Sequence, residues 1–122
     1  MNVTCPYCRS AAKLVTGNVI YPHRPDLASL KFWQCKPCGA FVGTHKNSSS
    51  HAPLGTLANA TLRRDRSQAH AAFDPLWRDG SMSRTDAYRW ASNVLKLPLP
   101  KTHIAMMTSE QCETLRLAVE KL

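Results

Sequence analysis

Apolar positions in the first third of the chain fall in short extended runs. Lys13-Leu14-Val15 and Val19-Ile20-Tyr21 flank Thr16-Gly17-Asn18, a Gly/Asn turn that predicts a β-hairpin. Leu30 to Gln34 and Ala40 to Val42 supply further strands. The stretch Tyr21-Pro22-His23-Arg24-Pro25-Asp26-Leu27 carries two prolines, which forbid a regular ladder and predict a rigid projecting loop. The Ser-rich run 47–52, just before Pro53, predicts a mobile polar linker.

Beyond the linker the period becomes helical. Leu62, Ala69, Phe73 and Leu76 share one stripe, predicting a helix from Thr56 or Asn59 towards Phe73 that Asp74-Pro75 should break. Ser83-Arg84-Thr85-Asp86 fits a capping box ahead of the face Ala87, Trp90, Ala91 and Val94, with Pro98 and Pro100 beyond the helix end. A last helix should start at Thr108, with Gln111 as capping-box partner and Met107 and Cys112 as a hydrophobic staple. Cys112, Leu115 and Val119 continue its stripe, and Trp90 and Leu115 should be buried against each other or against the β module. The fold class is therefore α+β. A β module of three to four short strands occupies 1–46, and about three helices in 53–122 pack on it.

The chain has 122 residues, 43% of them apolar, and a mean hydropathy of −0.31, a composition that folds in water. No window approaches the ~20 apolar residues of a membrane span, and none resembles a signal-peptide core. The expected location is the cytoplasm, where five cysteines should be reduced thiols rather than disulfides.

Four of those cysteines form two C-x-x-C knuckles, Cys5-Pro6-Tyr7-Cys8 and Cys35-Lys36-Pro37-Cys38-Gly39, with 26 residues between the inner pair. A C-x-x-C turn presents two thiolates from one tight loop, and two such turns on neighbouring hairpins make a zinc ribbon. The spacer exceeds the usual ~15–20 residues, and the proline loop accounts for the excess. One structural Zn²⁺ on Cys5, Cys8, Cys35 and Cys38 is the expectation, with His23, His45 and His51 as solvated loop histidines rather than ligands. Four thiolates leave no open position for a catalytic water. Cys112, on an apolar helix face, reads as a small buried hydrophobe.

The strings Cys5-Pro-Tyr-Cys8, Ile20-Tyr-Pro-His-Arg-Pro-Asp26, Phe32-Trp-Gln-Cys-Lys-Pro-Cys38, Pro53-Leu-Gly-Thr-Leu-Ala58, Ala69-His-Ala-Ala-Phe-Asp-Pro-Leu-Trp77, Ala87-Tyr-Arg-Trp90 and His103-Ile104 span nearly the whole chain. In them the sequence resembles a family of small zinc-finger-containing proteins from tailed phages and prophages. That resemblance implies a phage-type protein with a zinc module and no assigned chemistry. It also implies that many relatives carry cysteines where this chain has Thr44 and Thr102, so a second cluster with Cys112 should be absent or altered here.

Charge adds a class of partner. The net charge is +8, and residues 1–50 carry Arg9, Lys13, Arg24, Lys31, Lys36 and Lys46 against the single acid Asp26. Such a balance favours a polyanion. Arg63, Arg66 and His70 follow i, i+3, i+7 and share a helix face suited to clamping phosphate, unless Asp65, Asp74 and Asp79 pair with them. Adjacent in one strand, Phe32 and Trp33 must point to opposite faces. Either one ring is exposed and can stack on a base, or both are covered, one of them by the helices. These residues predict a non-enzymatic nucleic-acid-binding protein, with DNA ahead of RNA, using Arg24, Lys31, Trp33, Lys36, Arg63, Arg66 and His70. The alternative is a phage protein that binds and modulates a host complex, whether transcription machinery or anti-phage defence. The order His51, Asn59, His70 raises an HNH-like nuclease as a minor reading, against a loose spacing and no paired carboxylates. No phosphate loop or nucleophile motif points to a small-molecule substrate.

Overall fold

A computed structural model describes residues 2–122. The chain forms two compact units that divide between Ala60 and Thr61. In the first, β1 (Lys13–Thr16), β2 (Lys31–Cys35) and β3 (Ala40–Gly43) make an antiparallel sheet in that order. Leu14 lies opposite Trp33, Trp33 opposite Val42 and Phe32 opposite Gly43. Side chains alternate along a strand, so the sheet has two unlike faces. One packs Trp33, Cys35, Ala40 and Val42 with Cys5, Ala12 and Leu57 into a small core. The other carries Phe32 and Phe41, which meet Tyr21 edge-on in a triangle with centroid separations of 5.8, 5.8 and 6.0 Å.

Two local expectations are corrected. The predicted hairpin at Gly17 does not form. Residues Gly17–Ile20 make one helical turn, α1, and the chain reaches β2 through the proline loop and a 3-10 turn at Pro25–Leu27. Gly17 is a crossing point rather than a turn residue. Its N–H donates to the Leu30 carbonyl at 2.8 Å, and a Cβ there would sit 1.7 Å from the Leu27 carbonyl oxygen.

Nor is 47–52 a linker. The chain folds back along β3, with His45 N–H donating to Ala52 at 2.9 Å, Leu54 N–H to Gly43 at 2.9 Å, and Phe41 and Ala58 exchanging bonds of 3.1 and 3.0 Å. Ser48 supplies the turn, accepting from Ala52 N–H through its hydroxyl. The return satisfies the backbone groups of an otherwise open edge and buries Leu57 and Ala58, which is why the first unit extends past residue 46.

The second unit is helical, with α2 (Ala60–Phe73), α3 (Pro75–Arg78), α4 (Arg84–Leu95) and α5 (Ser109–Glu120). The breaks fall where the residues require them. Pro75 cannot continue α2 and instead begins the single turn of α3, so four helices follow the sheet rather than three. Ser83 caps α4 by accepting from Asp86 N–H, and α4 ends on Lys96 in the left-handed region. Thr108 and Gln111 form a complete capping box on α5. The core holds Ala69, Phe73, Ala87, Ala91, Ile104, Met107, Cys112 and Leu115, with Trp90 partly buried against it. None of the described helices is long and apolar enough to cross a membrane.

Candidate metal centre

Each knuckle is a tight turn whose residue after the second cysteine has left-handed backbone, Arg9 at φ 65° and Gly39 at φ 63°. Arg9 N–H donates to Cys5 carbonyl at 2.9 Å, and Gly39 N–H to Lys36 carbonyl at 3.1 Å. Glycine takes this conformation without cost, whereas arginine is held in it by the turn. The knuckles sit on different supports. Cys5 lies in a small bridge in which Ala12 N–H donates to Val3 and Cys5 N–H to Ser10. Cys35 ends β2, and β3 begins two residues after Cys38. Tyr7, within the first knuckle, accepts the Asn59 N–H through its hydroxyl at 3.1 Å, tying the knuckle to the end of the returning segment.

All four sulfurs lie within 4.8 Å of one another. The Cys8 and Cys35 Sγ atoms are 3.6 Å apart, far beyond a disulfide bond of ~2.05 Å and close to the ~3.8 Å edge of a tetrahedron with 2.3 Å Zn–S bonds. Five free cysteines are present, and Cys5 and Cys35 are buried while Cys8 is exposed and Cys38 half-buried. Among the described residues these four form the only group of three or more clustered His, Cys, Asp or Glu side chains. The donor set fits one Zn²⁺, held by Cys5, Cys8, Cys35 and Cys38 with no position left for water. Its contribution is to hold the two knuckles together.

Without metal the thiols share protons. The Cys8 thiol is pushed down to about 6, first by the Ser10 hydroxyl, then by the Ser10 backbone and by Cys35 and Cys38. Cys38 is pushed up to about 12, chiefly by its hydrogen bond to Cys8 and then by burial. At Cys35 the Cys38 backbone pulls downward, but burial and the Cys8 and Cys5 thiols outweigh it and raise the value. Metal must displace the remaining protons, so affinity should fall as pH is lowered. It should fall more steeply below about 6, where Cys8 as well must lose a proton on binding. Competition with a chelating dye across that range measures it, and a flat profile would contradict thiolate ligation.

The chain matches the DUF3268 family, described as a zinc-finger-containing domain, over residues 1–121. It belongs to that family. No curated protein and no solved structure matches it. The family description and the four-sulfur cluster agree on a zinc-binding protein.

Cys112 stands outside this centre, 1% exposed in the helical core, and burial pushes its thiol up. Thr44 and Thr102 are each satisfied locally, by the carbonyls of Lys31 at 3.0 Å and Pro98 at 2.9 Å. Metal analysis should therefore return one zinc per chain, unchanged by Cys112→Ala; a value near two would reveal a second site.

Several of the residues expected to contact a partner are engaged within their own unit. Trp33 is 8% exposed, and its indole N–H donates to the His51 carbonyl at 2.7 Å. It is therefore no stacking platform, and the cover comes from the returning segment of its own unit. Phe32 is buried as well. Arg66 is buried with its Nε donating to the Met107 carbonyl at 3.0 Å, which fixes α2 to the start of α5 and removes it from any phosphate clamp. Arg63 is half-buried, and His70 is exposed with Asp74 3.1 Å from its Nδ1. Arg24 grips Asp26 in a two-point ion pair of 3.0 and 2.8 Å. Lys31 is half-buried in β2, and Lys36 is exposed in the second knuckle. Of the HNH order, His51 lies in a loop with left-handed backbone, Asn59 precedes α2 and His70 rides on it.

Proposed function

We propose that this protein is a non-enzymatic nucleic-acid-binding module of the cytoplasm, with DNA its preferred partner and the zinc-held unit its binding element. One observation carries the reading. Asp26 is the only acid in residues 1–60 and Arg24 already holds it, so Arg9, Lys13, Lys31, Lys36 and Lys46 have no carboxylate of their own unit to pair with. Four thiolates and one Zn²⁺ contribute −2 to a unit whose other charges sum to +5, leaving +3 for a partner to neutralise. Cations without local partners are what a phosphate backbone recruits.

Binding should weaken steeply with salt, with a slope of about −0.9 per phosphate contact on duplex DNA. Lys36→Ala and Arg9→Gly should each reduce that slope by about one without altering zinc content, since Lys36 is exposed and glycine suits the Arg9 backbone. An unchanged slope in both variants would show that the knuckles do not face the nucleic acid.

A second reading, a phage-type protein that binds a host protein, is favoured by the exposed apolar side chains of the same unit, among them Leu14, Val19 and Tyr21. It predicts shallow salt dependence and a few dominant apolar contacts.

A further inference from the structure

The end of the sheet where β2 begins and β3 finishes bears a cleft of about 690 Å³ in the first unit, lined by residues 29–32, 43–46, 48, 51 and 54. Its origin is local. Gly43, opposite Phe32 in the ladder, has no side chain, and a Cβ there would meet Leu54 Cδ1 at 3.3 Å and Phe32 Cε1 at 3.7 Å. The missing Cβ lets Leu54, on the returning segment, close over Phe32. Phe32 is in turn fixed edge-on by Tyr21 and Phe41.

Two kinds of group line this cleft. Leu30, Phe32 and Leu54 are apolar, and Leu30 and Leu54 remain 40% and 48% exposed although they border a formed cavity. Lys31 and Lys46 are basic, His45 and His51 offer imidazole nitrogens, Ser29 and Ser48 add hydroxyls, and no acid is present. Thr44 Oγ1 is already committed to the Lys31 carbonyl. An apolar floor beside acid-free basic groups matches a ligand with a flat apolar body and an attached anion. The volume lies within the usual range for small-ligand sites, ~300–1,000 Å³.

We infer that this cleft receives an unpaired nucleotide of a single strand, its base against the exposed side chains of Leu30 and Leu54, which the buried Phe32 backs, and its phosphate towards the lysines and histidines. The inference rests on the nucleic-acid reading above and sharpens it. A base inside a duplex is stacked on both faces and presents only its edge, so a floor of this kind rewards a base that is free to leave the stack.

The test is fluorescence anisotropy of the zinc-loaded full chain with a short labelled oligothymidylate and a labelled DNA duplex at physiological salt. Leu54→Glu places a carboxylate beside the floor at an already exposed position. Zinc content and melting temperature should match the parent. Single-strand affinity should drop by about tenfold or more, with duplex affinity within about twofold. Equal losses on both, or none on either, would overturn the cleft while leaving nucleic-acid binding in place. No binding of either by the parent protein at this salt would overturn both.

Should Leu54→Glu disturb the fold, amide shift mapping of the parent protein with thymidine monophosphate and with the oligothymidylate decides. Oligonucleotide shifts centred on residues 29–32, 43–48 and 51–54 support the inference, and shifts elsewhere overturn it. A response to the oligonucleotide that far exceeds that to the mononucleotide identifies a strand as the source. An equal response to both makes the cleft a free-nucleotide site and overturns the strand assignment.

Discussion

Chelating the metal, or replacing Cys35 by Ser, should unfold the first unit and leave the second folded. The first core contains Cys5, Ala12, Trp33, Cys35, Ala40, Val42 and Leu57, of which two are metal ligands and two are alanines. Trp33, Val42 and Leu57, with the Tyr21–Phe32–Phe41 triangle on the other face, are too few to hold about sixty residues without help. Structural Zn²⁺ binding in small fingers is worth about 10–16 kcal/mol at neutral pH, as much as the whole stability of an ordinary domain, ~5–15 kcal/mol. The second core contains no clustered ligand set, and its largest members are Phe73, Ile104, Met107 and Leu115. Amide spectra should lose the dispersed signals of β1 to β3 on chelation while those of α4 and α5 persist. Persistence of the sheet signals would show that apolar burial alone suffices.

Phe73→Ala should be the most damaging single change in the helical unit, costing about 3–5 kcal/mol in a denaturant titration. Phe73 is fully buried at the end of α2. Its ring meets Tyr88 of α4 edge-on at 5.0 Å. Ala69, Ala87 and Ala91 beside it are too small to move into the space it would leave. Trp90→Ala should cost less, since Trp90 only partly enters the same core. A loss below about 1 kcal/mol at Phe73 would mean that the cluster is loosely packed.

The residues differed in how plainly they announced their roles. The knuckles were legible because thiolate chemistry restricts both residue type and spacing, and the caps at Ser83 and Thr108 because a side chain must answer a specific orphan N–H. Gly17 was misread because glycine serves a turn and a close crossing equally well, and only the position of Leu27 separates the two.

The run 47–52 carries polar side chains, yet its contribution to the fold is backbone pairing with β3, which composition does not encode. The cleft was hidden for the same reason, since five of its lining residues, His45, Lys46, Ser48, His51 and Leu54, lie in or beside that run. Arg66 belongs to two periodic sets at once. Grouped with Arg63 and His70 it makes a basic face, and grouped with Ala69 and Phe73 it continues the buried stripe. The Met107 carbonyl, supplied from 41 residues away, decides between them.

Titrating labelled DNA with the zinc-loaded and the chelated protein at physiological salt tests whether a zinc-organised unit binds nucleic acid. Micromolar or tighter binding by the loaded protein, lost on chelation, is the expected result. Binding confined to low salt, or equal in the two forms, would contradict it, because the net charge of +8 would then be attracting any polyanion without help from the fold.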